Sequence, residues 1–449
     1  MSPSLSPGAA EPTTDAKAPD ASMMERWRPV VAAFNPRQPL SREEIDGLYV
    51  TRPQAPFRRV LDDLRFEPDH APLFVICGSH GSGRSTELAC LDRHLHEDRA
   101  VIEVDLDRAL PEPVSPVALL LVLGLAALKA AEAWTADGQA LAAAIRRLDA
   151  AVATLTPANA PQGLFPVAEL IEDVGAVTSI SSPHKTSRHS ALGTHSMGQI
   201  IWHPEAGRAA LEASDRARWA ILRAVNHAFD TLQEAAGLPP VVLADDLDKL
   251  HHLDDLLQVL GDPKLLTALT VPLVLTGPVN LLHSDRFHEV RRHARVLPLY
   301  NLPVVKPDHA PDPTGIELLL ETVHRRQVFF QLPKLWIDEA ALPLLARGSG
   351  GCLRDFVGLL RAAALAAYNE GAATLKARNA EVAVRASRHM LEFTLTERSV
   401  QQLKAVLATG RPTDDPHFDE LLFHNVVVCY PDQDLWYRPH EILVDWLNG

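Results

Sequence analysis

Gly78-Ser79-His80-Gly81-Ser82-Gly83-Arg84-Ser85-Thr86 follows directly on the apolar run Leu73-Phe74-Val75-Ile76-Cys77. Glycines at this spacing let consecutive backbone N–H groups turn inward, and such a concave row of amides surrounds phosphate oxygens. A helix opening at Ser85 adds the partial positive charge of its N-terminus behind the same anion. Arg84 supplies a full positive charge. Ser85 and Thr86 supply hydroxyls, and Ser85 stands where a phosphate-bound Mg²⁺ takes a protein oxygen. A phosphate-binding loop of this kind ordinarily carries lysine at the position of Arg84. Arginine is longer, planar and forked, so it neutralises phosphate without reproducing the compact charge of an ammonium group. Nucleotide binding is therefore expected to survive the exchange, while turnover, which depends on fine placement, is left open.

A second motif supports the first. Val241-Val242-Leu243-Ala244 is an apolar strand that ends in Asp245-Asp246-Leu247-Asp248. A carboxylate at such a strand tip holds the metal, and a neighbouring one orients or deprotonates an attacking water. Asp245 is assigned to Mg²⁺ and Asp246 to the water, with Asp248 competing for the second role. The alternative is a strand that simply ends in a solvated acidic turn. Thr276 closes another apolar strand, Val271 to Leu275, where its hydroxyl can meet a γ-phosphate or the water, or can cap the turn at Gly277-Pro278. Arg354, at the opening of a helix after Gly351-Cys352, can fold back over a nucleotide or pair with Asp355. Arg286, Arg291, Arg292 and Arg295 form a basic group, one member of which could serve a neighbouring subunit's nucleotide while the rest remain solvated surface.

The elements that must position these groups alternate. Strands are expected at Leu73–Cys77, Val101–Val104, Val241–Ala244, Val271–Leu275 and about Val296–Leu299, with helices between them. That alternation predicts an α/β fold with a parallel sheet covered on both faces. Residues 26–64 read as helical, with Tyr49-Val50-Thr51-Arg52 in the middle. Val117–Leu128 is strongly apolar but stops at Lys129, too short to span a bilayer, and is expected as a buried helix. A further helix is expected around Gly138–Thr154. From Glu205 to Ala236 one stripe carries Leu211, Trp219, Leu222, Val225, Phe229 and Leu232. Residues 178–200 are rich in Ser, Thr, His and Gly and read as a mobile insertion. From about residue 314 the pattern is helical until Val426–Tyr430 and Leu435–Arg438, which flank a turn and suggest a winged-helix-like end.

Composition narrows the function classes. The chain has 449 residues, with 43 basic and 57 acidic side chains for a net charge of −14. That length allows two to three domains, and that charge argues against broad, charge-driven contact with nucleic acid. Cys77, Cys90, Cys352 and Cys429 have neither metal-site nor disulfide-framework spacing, so a reduced, cytoplasmic protein is expected. The first residues contain no apolar stretch after a basic start, so no secretory signal is read there. Twenty histidines are present, but none form a ligand set; His251, His252, His283, His288 and His293 are read as surface residues.

Together these segments resemble the AAA+/STAND branch of P-loop ATPases, including KAP and origin-initiator relatives. Gly78 to Ser85 is similar to the Walker A motif, with Arg84 departing from it. Asp245-Asp246-Leu247-Asp248-Lys249 resembles its Walker B form, with aspartate in place of the common glutamate base. Thr276 lies where sensor 1 is expected, and Gly351 to Asp355 looks like the sensor 2 of initiator-type lids. The closing run through Leu422-Phe423-His424-Asn425, Trp436-Tyr437 and Pro439-His440 resembles the wing region of STAND-like ATPases. The resemblance implies a five-stranded parallel sheet, a helical lid and a C-terminal winged helix, with Tyr49 and Val50 flanking the adenine of ATP. It also implies a nucleotide-driven switch that works with a protein partner or as a homo-oligomer. The chain then divides into a disordered tail over 1–25, a P-loop core over 26–310, a lid over 311–393 and a winged-helix-like unit over 394–449. A DNA-associated initiator or transposition-type ATPase, and a scaffold that binds no nucleotide, remain as other readings; acids crowd residues 396–449, which disfavours the first of them.

Overall fold

In a computed structural model of the chain, the described residues are 21–67, 71–134, 138–155, 167, 177–180, 202–247, 253–260, 263–432 and 434–449. Five parallel strands build the centre: β1 (Leu73–Gly78), β2 (Ala100–Asp105), β4 (Pro240–Asp245), β5 (Leu273–Pro278) and β6 (Ala294–Leu299). A sixth, β3 (Val177–Ile180), runs antiparallel on the β2 edge, giving the order β3-β2-β4-β5-β1-β6. The purely parallel expectation is corrected at that edge. β3 includes the first residues of the expected 178–200 insertion, and residues 181–200 lie outside the described residues.

Each parallel strand is apolar on both faces because helices cover both. Leu73, Val75 and Cys77 of β1 point into one cluster with the helices Pro116–Trp134 and Asp215–Ala236. Phe74 and Ile76 point into another with Pro56–Phe66 and Arg84–Leu95. This period-2 division is what continuous apolar runs produce in a doubly covered sheet. The helix from Pro116 extends past Leu128 to Trp134, long and apolar enough by composition to cross a membrane, which corrects the length expectation. Its residues from Pro116 to Leu128 are all buried against the sheet and neighbouring helices. Ser214 caps a separate helix, Asp215–Ala236, which takes Leu211 out of the expected stripe; Trp219, within that helix, lies to the side of the face of Leu222, Val225, Phe229 and Leu232 and is 40% exposed. Residues 26–64 divide into the helices Ala21–Ala33, Ile45–Leu48 and Pro56–Phe66 rather than one helical run.

The N-terminal helix Ala21–Ala33 packs with the helices of the expected lid. Trp27, Val30 and Phe34 sit in one core with Leu319, Trp336, Leu345, Phe356 and Leu360. Trp27 Nε1 donates to Ala372 O at 3.0 Å, and Arg361 Nη1 donates to Val31 O at 2.7 Å. Helical structure begins at Ala21, within the tail expected to run through residue 25; residues 1–20 lie outside the described residues. The lid's own helices are Pro313–Phe329, Ala341–Gly348, Leu353–Asn369 and Ala377–Glu392. Gly351, at φ +75°, lies so close to the Leu302 carbonyl that any side chain would overlap it. The two residues are joined there by Leu302 N–H donating to Gly351 O at 3.0 Å.

The C-terminal unit has helices Glu397–Thr409, His417–Phe423 and Glu441–Asn448, and an antiparallel hairpin of β7 (Val427–Tyr430) and β8 (Trp436–Pro439). Its core includes Val279 from the segment after β5. At this junction Tyr437 Oη lies 3.1 Å from His283 Nδ1, with Phe418 edge-on to the tyrosine. His283 is therefore a junction residue and not the expected surface one. Burial pulls its pKa from 6.5 down to about 4. The unfolded chain then binds a proton between those values that the folded chain refuses, so stability is full above about pH 6.5 and falls as pH drops toward 4. The expected loss is about 2 kcal/mol. Urea unfolding at pH 7 and pH 4.5 should show it, and His283→Gln should flatten the difference.

Candidate functional site

β1 is an inner strand between β5 and β6, and the chain leaves it toward β2 on one side and later crosses to β6 on the other. Open α/β sheets bind ligands beyond the C-terminal ends of their strands at such a reversal. The glycine loop stands there. Gly81 (φ +80°) and Gly83 (φ +106°) occupy the left-handed region that side chains resist. A Cβ at Gly78 would lie 2.5 Å from Ser82 Oγ, and one at Gly81 would lie 2.5 Å from Arg354 Cβ. Gly83 caps the N-terminus of Arg84–Leu95, so the helix begins at Arg84, with Ser85 and Thr86 half-buried in its first turn. Ser79 is buried, and Ser82 Oγ is buried with no hydrogen-bond partner. That orphaned hydroxyl beside a row of glycine amides suits an anion's oxygen.

Across the sheet, Asp245 and Thr276 meet at the tips of β4 and β5. Thr276, fully buried, donates from Oγ1 to Asp245 Oδ1 at 2.7 Å. Asp246 N–H donates to the same Asp245 oxygen at 2.9 Å and to Thr276 Oγ1 at 3.0 Å. Asp246 takes φ +67°, a conformation that this pair of bonds holds. β5 lies between β1 and β4, so the loop and the acids are two strand spacings apart, roughly 10 Å between backbones. Ser85 and Asp245 carry oxygens of the kind a divalent cation takes. Asp248 and Lys249 lie outside the described residues, as do His251 and His252.

Arg84 is 8% exposed and donates from Nη1 to Gly277 O at 2.7 Å. Its guanidinium is thus tied to the tip of β5. Arg354 folds over the loop. Its backbone N–H donates to Gly81 O at 3.2 Å, and its Nη1 meets His80 Nε2. Asp355, its expected surface partner, lies instead 3.5 Å from His440 Nε2. Two further groups seat on the loop: Cys352 Sγ donates to His80 O at 3.4 Å, and Asn425 Nδ2 donates to the same oxygen at 2.9 Å. Burial pushes the Cys352 thiol up, keeping it a neutral donor. Lid and C-terminal unit therefore both rest on the glycine loop.

Tyr49 and Val50 are half-buried beside the loop helix. The Tyr49 ring stands edge-on to Phe57 at 5.6 Å, and its hydroxyl donates to Glu87 Oε1 at 2.9 Å. A cleft of about 510 Å³ opens beside Tyr49, Thr51 and Phe57, bounded by Arg58, His94 and Arg325.

Sequence reasoning missed Arg52, Glu87, Arg325, Cys352 and Asn425 as site residues. An acid in the first turn of the loop helix and an arginine three residues after Tyr49 were the available signals. Of the basic group, Arg286 pairs with Glu289 at 3.1 Å and Arg295 with Asp63 at 2.7 Å. Arg291 and Arg292 stand exposed before β6. Among the described residues no cluster of His, Cys, Asp and Glu could hold a metal on its own. All four cysteines are buried and none forms a disulfide. Ser399 Oγ, His417 Nε2 at 3.0 Å and Glu420 on His417 Nδ1 at 2.8 Å form a chain with the outline of a hydrolytic triad. Ser399 is only 2% exposed and completes the cap of Glu397–Thr409 with Thr396, so the set is a helix-capping network.

No family model matches the sequence, and no curated protein does. Among solved structures, the chain is similar to the Walker-type ATPase of Pyrococcus abyssi, at 15% identity over 93% of this chain and 100% of that one, with a TM-score of 0.46. It is also similar to Drosophila ORC bound to DNA, at 12% identity over 100% and 96%, TM-score 0.38. A third is the Thermotoga maritima RuvB Holliday junction branch migration motor, at 16% over 51% and 83%, TM-score 0.26. Independently of these, a glycine loop after an inner parallel strand, carboxylates at the tip of β4 and helices on both faces make the core an α/β fold with a P-loop layout.

Proposed function

We propose that the chain is an ATP-binding switch of AAA+/STAND type, with slow or partner-stimulated hydrolysis. Ser79 to Thr86 would hold the phosphates with their amides and hydroxyls, and Tyr49 and Val50 would flank the base. Ser85 and Asp245 would hold Mg²⁺, whose charge would offset that of the phosphates. The observation that carries the reading is the double seat on His80 and Gly81. Arg354 and Cys352 from the lid and Asn425 from the C-terminal unit all grip the loop that a triphosphate would occupy. A ligand there competes with or reorganises these contacts, so occupancy and the placement of both units become linked.

Asp246 would orient a water, with Thr276 holding the turn through its bonds to Asp245 and the Asp246 N–H. Arg84, held on Gly277 O, supports slow turnover over fast. Arg291 and Arg292 support action on a neighbouring copy in an assembly, because Arg286 and Arg295 are engaged within the chain. The protein is expected to work in regulation or defence through another protein.

The direct test is thermal unfolding with Mg-ATP, Mg-ADP and Mg²⁺ alone. A ligand at a hundred times its Kd stabilises the folded state by about 2.7 kcal/mol, so a rise of several degrees is expected with either nucleotide. An unchanged midpoint at millimolar Mg-ATP overturns the reading and favours a scaffold.

A further inference from the structure

Glu87 is an acid in an unfavourable place. It lies in the first turn of Arg84–Leu95, directly behind the amides that face phosphate, and it is 1% exposed. A carboxylate there repels the anion the loop is built to receive, and burial raises its pKa above the usual carboxylate range. Both oxygens are nevertheless engaged. Oε1 accepts from the Tyr49 hydroxyl at 2.9 Å, and Oε2 accepts the Phe57 backbone N–H at 3.2 Å.

Arg52 supplies the neighbouring positive charge, itself almost wholly buried. Its Nη2 donates to Ser82 O, inside the glycine loop, and its Nη1 donates to Tyr300 O at 3.3 Å. Tyr49 reaches the other way. Its backbone carbonyl accepts from Arg325 Nη1 at 2.7 Å, and Arg325 belongs to the lid helix Pro313–Phe329. Arg325 is also held by Glu321 at 2.7 Å. The Glu87 backbone N–H donates to Gly83 O of the loop at 3.0 Å, so a chain of polar contacts runs from the loop through Glu87 and Tyr49 to the lid, with the Arg52 charge beside it on Ser82 O.

We propose that Glu87, acting with Arg52 and Tyr49, is a positioning residue that ties the shape of the phosphate loop to the seat of the lid helix. The proposal deepens the ATP-switch reading and rests on it. A shift of the loop on phosphate binding moves Arg52, which holds the Ser82 carbonyl, and Gly83, whose carbonyl holds the Glu87 backbone N–H. Glu87 then carries the change to Tyr49, whose carbonyl is the anchor of Arg325. Such a pathway stands only if the energies of its members are coupled.

Tyr49→Phe removes one hydroxyl and keeps the ring on Phe57. Glu87→Gln keeps the size and removes the charge. Mg-ATP affinity by calorimetry is expected to fall about tenfold in each, the effect of one hydrogen bond to a charged group, and the double variant should fall little further. Hydrogen exchange adds the readout that a purely structural role would leave alone. At saturating Mg-ATP, amides of residues 79–86 should stay protected in both variants, while the ATP-induced protection of residues 313–329 is lost. Additive losses in affinity, or protection of 313–329 that still follows ATP, overturn the proposal. If Glu87→Gln does not fold, Tyr49→Phe alone decides by the same exchange readout. If the wild type fails to bind Mg-ATP, the switch reading falls. The relay is then judged without ligand: faster exchange at 79–86 in Tyr49→Phe supports it, and an unchanged rate overturns it.

Discussion

Asp245→Ala is expected to abolish Mg²⁺-dependent nucleotide binding and to lower the stability of the ligand-free protein by about 2 kcal/mol. The two losses have different origins. Asp245 Oδ1 accepts from Thr276 Oγ1 at 2.7 Å and from Asp246 N–H at 2.9 Å. Removing it leaves the fully buried Thr276 hydroxyl without that acceptor and releases one of the two bonds that hold Asp246 at φ +67°. A non-glycine residue in that region stores about 1–3 kcal/mol that its surroundings must hold. Asp245→Asn separates the origins. Its amide oxygen can still accept both bonds, so ligand-free stability should stay within about 1 kcal/mol of wild type. It lacks the negative charge a hard dication requires, so Mg²⁺-dependent affinity should still fall about a hundredfold or more. Chemical unfolding without ligand and ATP isotherms with and without Mg²⁺ measure the two effects. An asparagine variant that keeps its Mg²⁺ dependence would remove Asp245 from the metal site.

How much of this was legible before the fold depended on the range of the contacts. The glycine loop, the strand before it and the helix after it are one local unit, and local spacing exposed them. The acids after β4 and the threonine at the end of β5 were legible as strand-end groups. Their hydrogen bond was not, since nothing in either segment states that β4 and β5 are neighbours. Arg52 and Glu87 were passed over for the same reason: an arginine three residues after a tyrosine and an acid in a first helical turn look like ordinary surface until the 34 intervening positions are folded away. Trp27, Val30 and Phe34 form an apolar stripe that predicts burial without naming the partner, and the partner was the lid. The antiparallel β3 escaped because Val177–Ile180 begins a segment whose polar composition suggests a loop. His283 was placed at the surface because a lone histidine after a strand has no signature of the tyrosine that waits across a domain junction.

The departure at Arg84 has the sharpest consequence for activity. In the structure its guanidinium donates to Gly277 O at 2.7 Å, so the group that should meet the phosphates is anchored to the tip of β5. A planar fork held by a carbonyl can turn part of its edge to a phosphate but approaches along a fixed plane, whereas an ammonium on a flexible stem settles as a point charge. The ground state tolerates such a difference because several loop amides share the binding. The transition state does not, since its charge must be met within a fraction of an ångström. Arg84→Lys is therefore expected to raise the rate of ATP hydrolysis by about tenfold or more, equivalent to about 1.4 kcal/mol of barrier. Mg-ATP affinity should change by no more than a few-fold. Folding should be little affected, because Gly277 O retains access to a lysine ammonium. Single-turnover hydrolysis, with Kd measured in parallel, gives the comparison. A faster lysine variant marks Arg84 as the residue that keeps the wild type slow and so able to hold ATP as a state. Equal turnover in the two proteins places the brake elsewhere, with the lid's Arg354 on His80 and Asn425 on the loop carbonyl as the groups to change next.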